Sequence, residues 1–138
     1  MIIDATNLIA GRVASVAAKK SLLGEDIKIV NCEKAVISGK RGAVIADYEQ
    51  KRGRATIRKG PFILRRSDKI MRRMIRGMLP HKKERGLDAY AMITCYIGVP
   101  PELSKEKLET IKSADVSKMP TINYVTLGDI SKMLGAKQ

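Results

Sequence analysis

The first forty residues alternate between short apolar runs and a helical repeat. The runs at 1–5 (MIIDA) and 27–30 (IKIV) are typical of buried strands, and the run at 35–37 (AVI) predicts a third. Between the first two, apolar residues at helical spacing over 9–23 predict a helix that Gly24 ends. A strand, a helix and a strand within about thirty residues predict a βαβ unit, and therefore a parallel sheet covered by helices.

The rest of the pattern adds helices, a long strand and an irregular stretch. It first predicts a helix over 40–52, a loop over 53–61 and an apolar segment at 62–64 that packs against the body. A helix follows that Ser67 caps and Pro80 ends, and then a strand over 89–99. The last two elements are helices over 104–113 and 127–134, the second of which Thr126 caps. No internal repeat or break in composition divides the chain. We therefore expect one domain, residues 1–138, with three α/β/α layers.

Positive charge is concentrated in residues 51–85, which we call the basic segment. It has fourteen Lys or Arg and two acids, a balance of +12, whereas the whole chain of 138 residues carries +13. Residues 1–50 and 86–138 are each close to neutral. Folding does not require such a self-repelling block, and the partner with enough negative charge to match it is nucleic acid.

The basic segment contains an amphipathic helical pattern. Its apolar residues fill about half of a helical wheel and its cations the other half. The apolar set is Ile70, Met71, Met74, Ile75, Met78 and Leu79, and the cationic set is Lys69, Arg72, Arg73 and Arg76. A solvated surface helix would show the same pattern, but no acid follows Asp68 within the helix to form ion pairs, and both flanks are basic. We interpret this helix as one that faces RNA or DNA.

Signals for a nucleotide or triphosphate site are weak. The turn after the first strand has only Gly11, where a dinucleotide-binding turn needs three glycines. The run GKRG at 39–42 resembles a phosphate-gripping turn, but Lys34 stands where the triphosphate motif needs glycine, and Arg41 where it needs Ser or Thr. We interpret Lys40 and Arg41 as contacts to RNA phosphate.

Catalytic and metal-binding signals are weaker still. His81 is the only histidine and has no obvious carboxylate or serine partner, so we expect an exposed loop residue near the nucleic acid. Asp4 would fit a catalytic acid, but a brace for the turn after the first strand fits it better. Cys32 and Cys95 lack the spacing of a zinc site and fit buried thiols in a reducing compartment. With no secretory signal and no membrane-spanning run, we expect a cytoplasmic protein without catalytic residues, metal or cofactor.

The aromatic content bears on the kind of nucleic acid. The chain has one Phe, four Tyr and no Trp, and Phe62 is the only aromatic residue of the basic segment. Single-strand binders stack bases on exposed aromatic rings. We therefore expect recognition through the phosphates, 2′-hydroxyls and shape of a folded RNA, with little base stacking. DNA stays open, although no helix-turn-helix or finger pattern favours it.

Several stretches resemble the L-thirteen family of large-subunit ribosomal proteins. They are IIDATNLIAGRVAS (2–15), IVNCEKAVISGKR (29–41) and IRGMLPHKKERG (75–86), whereas YIGVPPEL (96–103) and YVTLGDISKMLG (124–135) resemble its archaeal branch. The match runs over nearly the whole chain in the family's order. The resemblance implies an α/β/α domain with a four-stranded, mainly parallel sheet, and direct binding to large-subunit rRNA with a role in subunit assembly.

These observations lead to a structural, non-enzymatic hypothesis. The expected partners are large-subunit rRNA and neighbouring large-subunit ribosomal proteins, with no membrane and no small-molecule substrate. The expected RNA-binding residues are Lys51, Arg52, Arg54, Arg58, Lys59, Arg65, Arg66, Lys69, Arg72, Arg73, Arg76, Lys82, Lys83 and Arg85, followed by Arg12, Lys40, Arg41 and His81. Two alternatives stay open: an RNA-modifying or nucleotide-using enzyme on a Rossmann-like sheet, and a free regulator that silences particular messages.

Overall fold

Five α-helices and five short strands form an α/β fold in the computed structural model, which describes residues 1–56 and 58–136. In chain order the elements are β1 (Ile2–Asp4), α1 (Ala10–Leu22), β2 (Ile27–Val30), β3 (Val36–Ser38), α2 (Arg41–Gly53), α3 (Ser67–Met78), α4 (Glu84–Ala91), β4 (Ile93–Cys95), β5 (Tyr124–Thr126) and α5 (Leu127–Met133). Ile57 lies outside the described residues, so the loop expected over 53–61 is described only in part.

The predicted βαβ unit is confirmed. β1 and β2 are parallel with Ile3 opposite Ile29, and β2 pairs in parallel with β4 with Ile27 opposite Ile93. Because side chains alternate along a strand, residues in register share a face of the sheet. All four isoleucines are fully buried, so this face of the sheet lies in the hydrophobic core.

Helices α1 and α3 pack on this face. α1 contributes Val13, Ala14 and Ala17, all fully buried. Alanine is the strongest helix former, and its short side chain allows close packing between elements. α3 adds Met71 and Ile75, also fully buried, and burial of each such side chain contributes about 1.5–3 kcal/mol to stability. α3 is therefore fixed in place by the same core as the sheet.

The expected four-stranded, mainly parallel sheet is not confirmed. β3 pairs with β5 antiparallel, with Ile37 opposite Val125, in a separate two-stranded sheet. At the free edge of β1, the Glu109 N–H donates to the Ile2 carbonyl at 2.9 Å, and the Glu109 carbonyl accepts from the Asp4 N–H at 3.0 Å. This pairing stops at a single bridge because the residues around Glu109 are exposed, and strand pairs depend on packed side chains.

The expected second helical layer is not confirmed either. Residues 104–113, all described, form no α-helix: turns cover 101–105, Glu109 bridges to β1, and a 3₁₀ turn at Lys112–Ala114 begins within the expected range. The Ser104 hydroxyl donates back to the Pro100 carbonyl at 3.3 Å, so it does not cap a helix that follows. A second, smaller apolar cluster outside the main core consists of Ile2, Val30 and Leu103 with Tyr96 packed against them.

Two further boundaries differ from the sequence pattern. The strand expected over 89–99 is reduced to β4, since α4 begins at Glu84 and takes the first part of the run. A short apolar run fits a helix or a strand equally well, and periodicity does not separate the two. Of the two expected caps, Thr126 is confirmed, because its Oγ1 accepts from the Asp129 N–H at 3.1 Å. The prediction that Ser67 caps α3 is wrong, because Arg66 is at the capping position. The buried Ser67 hydroxyl has no hydrogen-bond partner among the described residues.

Candidate nucleic-acid interface

The central helix of the basic segment, α3, presents cations from a fixed backbone. Its apolar residues Ile70, Met71 and Ile75 are buried, whereas Lys69 and Arg73 are exposed. Neither cation has a hydrogen bond or ion pair with any other residue that the structure describes. The helix therefore holds these two charges outward at a fixed spacing, because its opposite side is packed into the core.

Arg72, expected on the same cationic side, is engaged within the protein. Its guanidinium lies 4.6 Å from the centroid of the Tyr90 ring, and its Nη2 is 3.5 Å from the Tyr90 carbonyl. Its Nε is buried without a partner among the described residues. Stacking on Tyr90 joins α3 to α4, so Arg72 positions the interface as well as adding charge to it.

Other basic residues on the flanks of α3 are also tied to the protein. Arg66 forms a bidentate pair with Asp68, with N···O distances of 3.2 and 3.0 Å. Lys51 pairs with Asp47 and lies 5.2 Å from the centroid of the Tyr48 ring. Exposed ion pairs of this kind contribute little to stability, and phosphate can replace their carboxylate partners.

The largest group of expected contacts is exposed and unpaired within the described residues. Its members carry no hydrogen bond or ion pair to another described side chain. They are Lys40, Arg41, Arg52, Arg54, Arg58, Lys59, Arg65, Lys69, Arg73, Lys82 and Lys83. Lys40 precedes α2 and Arg41 is its first residue, so the turn expected to grip phosphate lies at a helix N-terminus. Arg76 is half-buried.

The loop after α3 is held by a close backbone approach. Gly86 of α4 is buried, and a Cβ at this position would overlap the Pro80 carbonyl group and lie 3.0 Å from the His81 nitrogen. The same Pro80 carbonyl accepts from the Lys83 N–H at 2.9 Å. The loop that carries Lys82 and Lys83 is thus fixed against α4. His81 is half-buried, and its Nδ1 is 3.4 Å from the Leu79 carbonyl.

Two expected contacts point to other parts of the molecule. The Arg12 Nη1 donates to the Ser113 carbonyl at 2.8 Å. The Arg85 Nη2 donates to the Leu22 carbonyl, at the end of α1, at 3.4 Å. Both side chains are exposed, but both stabilise contacts between distant segments of the chain.

One feature of the surface was missed by sequence reasoning. A cleft of about 310 Å³ lies between α2, residues 62–64 and α3, and Tyr48, Phe62 and Arg73 are among the residues that line it. We call it the Phe62 cleft. The expectation that Phe62 packs against the body is wrong, because its side chain is 70% exposed. The sequence shows an aromatic residue just after Gly60–Pro61 in a cationic segment. This pattern fits a buried position and an exposed position equally well.

Asp4 is a structural brace. Its Oδ1 accepts from the Thr6 N–H at 3.0 Å, from the Thr6 hydroxyl at 2.7 Å and from the Asn31 side chain at 2.9 Å. Burial alone would raise the pKa of Asp4, but these hydrogen bonds outweigh it and lower the pKa. All three hydrogen bonds are accepted by Oδ1 and stabilise the ionised carboxylate, which suits a brace and not a proton donor.

The cysteines show no sign of thiolate chemistry. Cys32 is buried and Cys95 half-buried, and both are free thiols. The neighbouring Cys95 thiol and burial both raise the pKa of the Cys32 thiol, whose Sγ donates to the Ile29 carbonyl at 3.6 Å. Among residues 1–56 and 58–136, no group of three His, Cys, Asp or Glu side chains is placed to hold a metal ion. In the same residues, no helix is long and apolar enough to span a membrane.

Fold and surface together define a small α/β protein whose net charge is carried almost entirely by one segment. The sequence profile of the family described as ribosomal protein L13 matches residues 1–102. The chain is 45% identical over 137 residues to the large ribosomal subunit protein uL13 of Methanosarcina barkeri, covering 99% of this chain and 98% of that protein. It is 44% identical over 136 residues to the same protein of Methanopyrus kandleri, covering 97% and 86%.

The chain belongs to the ribosomal protein L13 family, which is a family of structural proteins and not of enzymes. A third relative, the large ribosomal subunit protein uL13 of Haloarcula marismortui, is 41% identical over 138 residues, covering 100% of this chain and 92% of that protein. The resemblance to the archaeal branch of the family is thereby confirmed.

Proposed function

We propose that this protein is a structural constituent of the large ribosomal subunit, where it binds large-subunit rRNA through the basic segment and supports assembly. The observation that carries the proposal is α3, whose Met71 and Ile75 are fully buried while Lys69 and Arg73 stand exposed and unpaired among the described residues. Charges held in this way lose little conformational entropy on binding, so more of their attraction to phosphate becomes affinity.

The contacts are made mainly to phosphate. Cations on α3, on the end of α2 and on the loop after α3 belong to one segment with a balance of +12, and most of them lack a partner in the described protein. Phosphate contacts fix the orientation of a protein on RNA without reading its sequence. In this proposal Arg12, Arg72 and Arg85 act first as intramolecular supports, because each contacts a backbone carbonyl of its own chain.

The enzyme alternative has less support. An RNA-modifying or nucleotide-using enzyme on this sheet would need a reactive group at the carboxyl ends of the parallel strands. Asp4, at the end of β1, accepts hydrogen bonds from Thr6 and Asn31 at Oδ1, and these favour its ionised form over a proton donor. Family membership also favours the structural role.

A place in the large subunit also implies neighbouring ribosomal proteins as partners and a cytoplasmic location. A cleft of about 380 Å³ lies between the end of α1 and α4, and its charged lining residues are Glu84, Arg85 and Asp88. Beside it, Leu23 and Leu87 are 72% and 55% exposed. Exposed leucines beside carboxylates suit a protein surface better than a phosphate backbone, so we assign this side of the molecule to a protein neighbour.

The salt dependence of binding tests the proposal. The probe is the large-subunit rRNA of Methanosarcina barkeri, transcribed in vitro, and the dissociation constant is measured over a series of salt concentrations. Each phosphate contact makes the slope of log K against log salt more negative by about 0.7–0.9. If about half of the eighteen expected residues contact phosphate, the slope is roughly −6 to −8. A flat response would rule out the mechanism. Co-sedimentation with the large subunit through a high-salt gradient tests the location.

A further inference from the structure

The Phe62 cleft combines an apolar interior with cations, in the middle of the basic segment. Its lining includes Tyr48, Leu64 and Met74, together with the charged side chains of Lys51 and Arg73. Its volume of about 310 Å³ falls at the lower end of the range for small-molecule sites, which is suitable for one flat ring system.

The Phe62 ring is held in position although it is exposed. Thr56 and Gly60 exchange two backbone hydrogen bonds, each of 3.0 Å, and Gly60 has φ +76°. A Cβ on Gly60 would lie 3.2 and 3.3 Å from two carbons of the Phe62 ring. The ring therefore rests on the bare Gly60 backbone, with 70% of the residue left accessible. This is a preformed aromatic platform.

The surrounding charge indicates what the platform receives. Lys51 and Arg73 line the cleft itself, and Arg52 and Arg65 line a smaller adjoining cleft of about 130 Å³ that Phe62 also borders. A flat apolar group with attached negative charges satisfies both the ring and the cations, and a nucleotide has this chemistry. An apolar side chain from a protein would leave the Arg73 guanidinium without a partner, whereas phosphate can pair with Arg73 and replace Asp47 at Lys51.

We propose that the Phe62 cleft accepts one unstacked nucleobase of the rRNA. Phe62 is the stacking platform, and Lys51 and Arg73 contact the phosphates that flank the base. The inference rests on the proposed function and deepens it, since it adds contact with one base to a surface that otherwise contacts phosphate. It adds one stacked base to the expectation of little base stacking, which rested on the number of aromatic residues and stays a prediction.

Four variants and the same rRNA test the inference. Phe62→Ala removes the platform, Phe62→Trp keeps it, and Gly60→Ala displaces the ring while Phe62 is retained. The control is Ile122→Ala, because Ile122 is 94% exposed and lies outside the basic segment. Stacking on an aromatic residue is worth about 5- to 150-fold in affinity. We expect Phe62→Ala and Gly60→Ala to weaken binding within this range, and Phe62→Trp and the control to bind like wild type.

The salt slope and base-specific chemical probing separate the two proposals. Stacking releases no counterions, so Phe62→Ala should weaken binding by the same factor at each salt concentration and leave the slope unchanged. At saturating protein, one base protected by wild type should react again in the Phe62→Ala complex. Wild-type affinity and protection for Phe62→Ala, with the steep slope intact, would overturn the nucleobase site alone. A wild-type protein that shows no salt-dependent binding would overturn both proposals.

Discussion

The close approach of Gly86 to the Pro80 carbonyl fixes the loop that carries Lys82 and Lys83 against α4. We predict that Gly86→Ala destabilises the protein, although alanine is the better helix former. A Cβ at position 86 would overlap backbone atoms of Pro80 and lie 3.0 Å from the His81 nitrogen. Backbone atoms cannot rotate away as a flexible side chain would, so either the loop or α4 has to move.

The magnitude follows from two opposing contributions. Overpacking of a filled site costs about 1–3 kcal/mol, and contact with backbone places this case at about 3 kcal/mol. Replacing a helical glycine by alanine gains about 1 kcal/mol. We therefore expect the free energy of unfolding to fall by about 2 kcal/mol. With a urea dependence of about 1–3 kcal/mol per molar for a small protein, the unfolding midpoint should fall by about 1 M.

Gly77 provides the matched control. It lies in α3, and a Cβ there would meet nothing within 4 Å. Gly77→Ala should raise the free energy of unfolding by about 0.5–1 kcal/mol. Urea unfolding followed by circular dichroism measures both variants. If Gly86→Ala proved as stable as Gly77→Ala, the Pro80 carbonyl would not lie against α4 in solution, and the fixed position of the basic loop would have no support.

Three further predictions concern the core, the brace and the interface. Ile75→Ala should lower the free energy of unfolding by about 2–5 kcal/mol, whereas Ile75→Val should cost about 0.5–1.5 kcal/mol; equal small losses in urea unfolding would mean that α3 is not packed as described. Because the pKa of Asp4 is lowered in the folded state, its contribution to stability is present above the unfolded-state pKa near 3.8 and is lost as the pH falls through the folded-state pKa. On acidification, the urea midpoint of wild type should therefore fall more than that of Asp4→Asn, and parallel curves would contradict the brace. Arg72→Lys keeps the charge but loses the planar stack on Tyr90, so stability should fall by about 0.5–1 kcal/mol with rRNA affinity nearly unchanged; a tenfold loss of affinity at unchanged stability would show that Arg72 contacts RNA directly.

Local patterns were sufficient for the elements that depend on one strong periodicity. β1, α1 and β2 were predicted because apolar runs and a helical repeat alternate there, and α3 because its apolar and cationic residues separate cleanly on a helical wheel. The last helix was predicted with Thr126 as its cap, and the hydrogen bond that the Thr126 hydroxyl accepts confirms the cap. Each of these signals lies within a single element.

Contacts between distant segments account for most of the failures. β3 was expected in the parallel sheet, but its partner is β5, almost ninety residues later in the chain. The polar segment after Pro100 forms no helix and contacts the edge of β1 through a single bridge at Glu109, more than one hundred residues after that strand. No periodicity within the segment itself carries that information.

The site shows the same division. The concentration of charge in the basic segment was visible in the sequence, but the sequence does not show which cations face solvent. Arg72 was placed with Lys69 and Arg73 by the helical wheel, yet the neighbouring α4 supplies Tyr90 for it to stack on. Phe62 was assigned to the core as an apolar residue, whereas its exposure depends on the turn at Gly60 and on the position of α2.

A comparison of two charge-matched variants tests the central claim most directly. Lys69→Glu with Arg73→Glu reverses the exposed cations of α3, and Lys105→Glu with Lys107→Glu makes the same charge change at exposed positions outside the basic segment. Affinity for large-subunit rRNA is measured at one salt concentration, with circular dichroism as the control for folding. We expect the α3 variant to lose about 100-fold or more and the control pair to stay within a few-fold of wild type. Equal losses for both pairs would mean that net charge alone drives binding and that the packed scaffold has no part in it.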